Sequence, residues 1–288
     1  MAKSEKAPKK AKAPTVKVAR LAALTGDSVA AIAMLRELAA SGDVAAGASL
    51  AELLAFSGEW RELIVHAAAL VAQPKAVYAA NVFDDMVRLL GRAAVETGDF
   101  QGVKAAIEPA WAIARAASLP PNVPRRHETI LAALAAYCDR AGQAPHELIR
   151  LWDVPSRDRT AGEKAAAYAD AVANMLTLRP KLRGDPVGIA KHEFALAVAN
   201  DQLEEIVRLY PLKEEARSFA DACAYARQIA SDDPVRAWAA IAAKLAEWYP
   251  VDVAQVAPVD PLLVDRAIAP LVDAERCALV LRTPRAGK

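Results

Sequence analysis

The sequence predicts an all-α protein built of stacked antiparallel helical hairpins, and three observations support this fold class. Apolar side chains recur every three or four residues over most of the chain, as on one face of an α-helix. Alanine supplies much of the 55% apolar content and aromatic residues only 6%, which favours closely packed helices over a sheet. Short turns that pair glycine with an acidic residue separate the helical stretches, at Gly26-Asp27, Gly42-Asp43, Gly58-Glu59 and Gly98-Asp99. Glycine ends a helix with positive φ and aspartate caps the next one, so each turn indicates a helix-to-helix connection.

The length and the cysteine content exclude several classes of protein. A chain of 288 residues can bury a sufficient core without disulfides or a structural metal. The three cysteines, Cys138, Cys223 and Cys277, are odd in number and far apart, which is typical of reduced core residues in a cytosolic protein. No signal peptide is visible, and no apolar run reaches the roughly 20 residues that span a bilayer. We therefore expect a cytoplasmic protein with no membrane partner.

The first 14 residues, MAKSEKAPKKAKAP, form a basic tail for which the composition predicts disorder. Six lysines and one glutamate give residues 1–17 a net charge of +5, so the total of +1 leaves −4 for residues 18–288. The tail could bind nucleic acid or another polyanion. Its composition favours a solubilising leader instead, since it contains no arginine, aromatic residue or glycine for specific contacts.

The first predicted hairpins occupy the chain up to Phe100. Helices are expected at Thr15–Leu24, from the turn at Gly26 to Ala40, at Val44–Phe56 and from Trp60 to Gln73. The stretch Lys75–Phe100 then predicts a long amphipathic helix that ends in a glycine-centred turn. Its apolar positions share one face and are Ala79, Phe83, Met86, Leu90 and Ala93.

Two of these hairpins carry a recognisable turn. Gly58-Glu59-Trp60 and, forty residues later, Gly98-Asp99-Phe100 resemble the turn of the tetratricopeptide repeat, and Leu90-Gly91 stands where that family has its Leu-Gly pair. Ala31 occupies the family's small packing position and Pro74 lies within one residue of its closing proline.

The resemblance covers roughly residues 15–117. Leu63 and Val103 depart from it, because they occupy the small position in the next two hairpins. It implies an α-solenoid of the tetratricopeptide or HEAT kind, or an irregular helical repeat, in which the first helix of each hairpin lines a concave surface that holds a partner peptide.

The second half of the chain is expected to continue the same solenoid, giving a division into 1–14, 15–117 and 118–288. Proline-rich or charged loops are predicted at 118–124, 153–164 and 179–186. Helices are predicted at 125–141, 145–152, 165–178, 187–199, 202–210, 214–230, 235–249 and 275–282, the last of which could instead be a strand.

No motif in the sequence predicts an enzyme. The glycines are single turn residues and never form GxGxxG or GxxxxGK[ST], and no GxSxG motif is present. The four histidines, His66, His127, His146 and His192, lack the spacing of metal ligands. We therefore expect no catalytic residues, no metal and no cofactor.

The first candidate site is a polar stripe on the Lys75–Phe100 helix. Its members would face a partner protein or peptide and are Tyr78, Asn81, Asp84, Asp85, Arg88 and Arg92. Asp84 and Arg88 also have the i,i+4 spacing of an ion pair on a solvated face, so the stripe could instead be ordinary surface.

The second candidate is an anion-binding site made by the three irregular loops. Their basic residues would converge on one edge if the hairpins stack in one sense, and are Arg125, Arg126, Arg157, Arg159, Arg179, Lys181 and Arg183. Loops also carry charge simply because they face water, so convergence is not required. An enzyme site there would need a nearby His127 or Asp158.

The function predicted from these features is a non-enzymatic protein–protein interaction scaffold or adaptor that binds its partner in the groove of a helical-repeat domain. One alternative is nucleic-acid or polyanion binding through the lysine tail and the arginine-rich loops. Another is a toxin-neutralising protein of the immunity type, since the alanine- and arginine-rich composition suits a bacterial source.

Overall fold

The computed structural model describes residues 15–73, 80–116, 126–139, 160–246, 260–265 and 267–284. All regular structure within these ranges is helical, which confirms the all-α class. The first seven α-helices are α1 Val16–Leu24, α2 Ser28–Ala40, α3 Val44–Phe56, α4 Trp60–Val71, α5 Ala80–Thr97, α6 Phe100–Ala116 and α7 Arg126–Asp139. The other seven are α8 Ala161–Leu178, α9 Pro186–Ala199, α10 Leu203–Leu209, α11 Phe219–Ile229, α12 Pro234–Ala242, α13 Asp260–Val264 and α14 Ala274–Arg282.

The predicted turns have the geometry that their sequences require. Gly26, Gly42, Gly58 and Gly98 have φ values between +68° and +89°, a region that glycine occupies without steric cost. The aspartates that follow act as N-caps: Asp27 accepts the backbone N–H of Ala30, Asp43 that of Ala46 and Asp99 that of Gly102. Local sequence therefore determines the ends of α1, α2, α3 and α5 and the starts of α2, α3 and α6.

Consecutive helices pack against each other along most of the described chain, with α1 on α2, α2 on α3, α3 on α4 and α4 on both α5 and α6. The residue five positions after the turn glycine is completely buried after three of these turns, as Ala31, Leu63 and Val103 show. This arrangement is compatible with a helical repeat.

The buried side chains form two clusters. The main core contains side chains from α1–α7, α11 and α12 and from residues 262–280. The second core lies among α9–α12 and consists of Phe194, Ala197, Ile206, Leu209, Tyr210, Ala222, Tyr225 and Ala240. Both cores receive side chains from α11 and α12, so these two helices join them.

The end of the chain returns to its first half. Helix α13 packs against α3 and α5, and α14 packs against α3. Leu262 and Ile268 are completely buried in the main core, and Val280 is 1% exposed. At the first hairpin, a Cβ added to Gly26 would lie 3.2 Å from the carbonyl oxygen of Arg282. The last two helices therefore complete the core of the N-terminal hairpins.

Three predicted helix boundaries in the second half are wrong. Helix α8 begins at Ala161 rather than 165, because Thr160 and Glu163 form a capping box. Residues 214–216 form a 3-10 helix and α11 starts only at Phe219, where Ser218 and Asp221 form a second capping box. Helix α12 ends at Ala242 rather than 249.

Other predictions in this half are resolved by the structure. Residues 180–184 of the third predicted loop form a 3-10 helix that Asp185 separates from α9. Asp233 caps α12 and Pro234 occupies its first position, where the N–H that proline lacks would have no partner within the helix. Residues 274–282 are helical, so the helix and not the strand is confirmed for this segment.

Several predictions fall outside the described residues. They concern the tail at 1–14, the loop at 118–124, the helix at 145–152 and residues 153–159 of the second loop.

Candidate functional site

A cleft of about 250 Å³ opens between α2, α3 and α4. Its floor is apolar, with Leu50 and Leu70 only 2% and 3% exposed. Its rim is polar and partly open to solvent, and carries Arg36, Asp43, Glu62, His66 and Gln73. An apolar floor inside a polar rim is the usual form of a small recognition site on a protein surface.

Helices α3 and α4 approach each other closely at a glycine that lines the cleft. A Cβ at Gly47 would lie 3.1 Å from both Cδ atoms of Leu70 and 3.6 Å from Nε2 of His66. His66 Nε2 lies 2.8 Å from the carbonyl oxygen of Gly47. A carbonyl can only accept a hydrogen bond, so Nε2 carries the proton in this contact and Nδ1 is an acceptor when the ring is neutral.

A bidentate ion pair connects two sides of the cleft. Arg36 on α2 donates from Nε to Oε1 of Glu62 at 2.7 Å and from Nη2 to Oε2 at 2.6 Å. These hydrogen bonds lower the pKa of the Glu62 carboxyl from its ordinary value and raise the pKa of Arg36. Both side chains remain more than a third exposed, at 48% and 39%, so the pair organises the rim more than it stabilises the fold.

The charge of the rim is negative once this pair is counted. Arg36 and Glu62 neutralise each other, and Asp43 adds a further carboxylate. Asp43 accepts the N–H of Ala46 through Oδ1 at 2.9 Å, and within the described chain its Oδ2 has no hydrogen-bond partner. Glu59 is also close enough to Arg36 to affect the pKa of Arg36.

The structure places four members of the predicted α5 stripe in different surroundings. Asp85 Oδ1 lies 3.8 Å from Arg88 Nη1, and these side chains are 29% and 36% exposed. Asp84 is half-buried. Arg92 pairs with Glu96 at 2.6 Å. Tyr78 and the side chain of Asn81 lie outside the described residues.

The C-terminal end of this stripe faces the chain's own last helices. Arg92 Nη1 lies 3.5 Å from the carbonyl oxygen of Leu263, a long contact. Burial raises the pKa of the Cys277 thiol on α14, and the nearby charge of Arg92 opposes that rise. Together with the packing of α13 on α3 and α5, these contacts show that α13 and α14 lie beside α3 and α5.

Two residues of the predicted anion-binding set have described side chains. Arg179 follows α8 and its Nη1 contacts His192 Nε2 on α9. Lys181 is exposed in the 3-10 helix that follows. Arg125, Arg157 and Arg159 lie outside the described residues, as do the side chains of Arg126 and Arg183. Convergence of the set remains a prediction.

Sequence reasoning did not find the cleft. Arg36 and Glu62 are 26 residues apart, and only the packing of three helices brings them together. One signal was present in the sequence, because Gly47 interrupts an otherwise favourable helix and such a glycine usually marks a close approach.

Comparison with known proteins identifies no relative of this chain: no family model, no curated protein and no solved structure matches it. In the described part of the chain, no three histidine, cysteine, aspartate or glutamate side chains come together as a possible metal site. None of the described helices combines the length and the apolar character needed to cross a membrane. The fold defines a class, an all-α protein of neighbouring packed helices, and the cleft is a candidate site in its described part.

Proposed function

We propose that this protein is a non-enzymatic scaffold that binds another protein, and that the cleft between α2, α3 and α4 holds an anchoring side chain of that partner. The cleft carries the proposal, since an apolar floor surrounded by partly solvated polar groups is the arrangement at which single side chains contribute most to binding. Its shape is set by helices and by the Gly47 contact, so it needs little reorganisation to receive a ligand.

The helical hairpins support the same proposal. An irregular, tetratricopeptide-like array presents the outer surfaces of successive helices side by side, and such surfaces commonly serve protein binding. The face of α3 and α5 already packs α13 and α14 of the same chain. The α2–α4 side therefore offers a surface that these two helices leave open, as the cleft itself indicates.

Blocking the cleft tests this function. Ala69 is an exposed residue that lines it, so Ala69→Trp places a large side chain at its mouth without changing charge. Tagged wild-type protein and the variant are used to capture partners from a lysate of the source cells, and bound proteins are quantified by mass spectrometry. We expect at least one protein to be captured by the wild type and reduced several-fold by Ala69→Trp.

A matched control separates this effect from a general effect of an added tryptophan. Ala105→Trp makes the same change at an exposed alanine of α6, outside the cleft, and should capture the partner as the wild type does. If both variants retain the partner equally, the cleft is not the binding site. If the wild type captures nothing above a tag-only control, the scaffold function itself is wrong.

A further inference from the structure

We infer that the side chain received by the cleft is a lysine of the partner protein, with its alkyl stem on the apolar floor and its ammonium group at the acidic rim. The inference deepens the proposed function and rests on it. It follows from three features of the cleft. These are its charge, the hydrogen-bond acceptors at its rim that have no partner among the described residues, and the extent of its apolar floor.

The charge of the cleft favours a cation. Arg36 is the one basic side chain among the described residues that line it, and Glu62 engages this guanidinium in bidentate geometry. Asp43 then leaves a net negative charge at the rim, and Glu59 lies close enough to add to it. An anionic ligand would meet this unbalanced carboxylate, whereas a cationic one would neutralise it.

Two uncommitted polar atoms at the rim, on Asp43 and His66, accept hydrogen bonds. Asp43 Oδ2 has no partner among the described residues. His66 uses Nε2 on the carbonyl of Gly47, so the other ring nitrogen of a neutral imidazole is an acceptor. An ammonium group has three donors and no acceptor, and so it matches this set.

The arrangement favours ammonium over guanidinium. A guanidinium binds best where a carboxylate presents both oxygens side by side. Arg36 already occupies that face of Glu62, at 2.7 Å and 2.6 Å. The acceptors that remain are separate points on different helices, which suit a compact charge with rotatable donors.

The floor suits the stem of a lysine. Leu50 and Leu70 are almost completely buried, and Ala39 and Ala69 extend the apolar lining towards the opening. Lysine commonly packs its methylene groups along such a surface and keeps the ammonium in contact with water. The cleft is open to solvent on the side of its polar rim, so the charge need not be fully desolvated.

Ligand-observed NMR with small side-chain analogues tests the inference on the full chain. The probe is n-butylammonium, which reproduces the lysine side chain, and the comparison ligands are n-butylguanidinium and butyrate. We expect n-butylammonium to bind in the millimolar range, as such small ligands do, more tightly than n-butylguanidinium. Butyrate should show no saturable binding.

Two aspartate variants locate the binding. Asp43→Asn removes the proposed charge but retains an oxygen that can cap α3, since asparagine is an equally good N-cap. Asp27→Asn is the matched control, because Asp27 caps α2 in the same way through Ala30 at 3.0 Å. We expect Asp43→Asn to weaken n-butylammonium binding roughly two- to fivefold, the range of one partly solvated charge interaction, and Asp27→Asn to leave it unchanged.

The outcomes separate this inference from the function on which it rests. Equal weakening by both variants, or binding of n-butylguanidinium or butyrate at least as tight as that of n-butylammonium, overturns the lysine assignment. If Ala69→Trp still loses a captured protein in that case, the scaffold function stands and only the ligand class is wrong. If n-butylammonium binds as expected but no protein is captured, the cleft binds free amines and the partner-protein assignment fails.

Discussion

The guanidinium of Arg217 lies 4.5 Å from the ring centroid of Phe194, inside the second core. Arg217 is only 2% exposed. Its Nη2 donates to the carbonyls of Leu209 and Leu212 at 2.7 Å and 2.9 Å, and its Nη1 to that of Ala190 at 3.1 Å. Burial lowers the pKa of Arg217 because desolvation disfavours the charged form. This cation therefore satisfies the buried carbonyl of Leu209, the last residue of α10, which the helix itself leaves unpaired.

Replacement of Arg217 should destabilise the protein strongly. Arg217→Met keeps much of the apolar volume but removes the donor to the buried carbonyl of Leu209 and two partly buried contacts, and we expect a loss of about 3 kcal/mol in the free energy of unfolding. Urea denaturation followed by circular dichroism measures the loss.

Arg208→Met provides the control for this prediction. Arg208 is 57% exposed and pairs with Glu205, so its replacement should change the free energy of unfolding by less than about 1 kcal/mol. Equal effects of the two variants would show that the buried carbonyl contacts of Arg217 contribute little.

The return of the chain to its first half leads to a second prediction. Leu262 on α13 is completely buried in the main core, so Leu262→Ala should cost about 2–5 kcal/mol through lost contacts and the cavity left behind. Thermal unfolding monitors this cost. Leu212→Ala removes the same atoms at a position that is 52% exposed and should cost less than about 1 kcal/mol. A similarly small cost at Leu262 would mean that the C-terminal segment does not complete the core.

The sequence predicts the parts of this fold that depend on neighbouring residues. The glycine turns and the caps at Asp27, Asp43 and Asp233 involve contacts over two or three positions, and all are present in the structure. The correct start of α8 could have been predicted in the same way, since Thr160 and Glu163 have the spacing of a capping box. Such signals act locally and need no knowledge of the fold.

The remaining features depend on residues that are distant in the sequence. The ion pair of Arg227 with Asp265 joins positions 38 apart at 2.7 Å. No periodicity predicts that α13 packs on α5 or that Arg36 reaches Glu62, because both follow from how several helices pack at once. The burial of Arg217 was equally hidden, since a charged residue inside a predicted helix, here 214–230, is normally expected on its exposed face.

A third prediction concerns the backbone at Gly58. Its φ is +74° and a Cβ there would have no atom within 4 Å, so Gly58→Ala introduces backbone strain without a steric clash. We expect a loss of roughly 1–2 kcal/mol, the cost of the left-handed conformation for a residue with a Cβ, measured by chemical denaturation.

Gly184→Ala supplies the comparison. A Cβ at Gly184 also has open space around it, and its φ lies outside the left-handed region, so this substitution should be neutral or slightly stabilising. If Gly58→Ala were equally neutral, the turn between α3 and α4 would have to adopt another conformation in solution.

The final prediction is the pH dependence of the ion pair in the cleft. Arg36 lowers the pKa of Glu62 from its ordinary value of 4.5 through two hydrogen bonds. The folded state therefore holds this proton less tightly than the unfolded state does, and the pair stabilises the fold fully above pH 4.5. That stabilisation is lost as the pH falls through the depressed pKa of the folded state. Because both side chains are more than a third exposed, its size should be about 0.5–1 kcal/mol.

A double-mutant cycle of Arg36→Gln and Glu62→Gln, measured by urea denaturation over a range of pH, isolates this contribution. At neutral pH the coupling free energy between the two positions should be about 0.5–1 kcal/mol, and it should decline below pH 4.5 as Glu62 of the folded wild type becomes protonated. The cycle subtracts the titration of the other carboxyl groups, since all four proteins share them. A coupling that persists unchanged into acid would mean that Arg36 interacts with Glu62 through packing rather than through its charge.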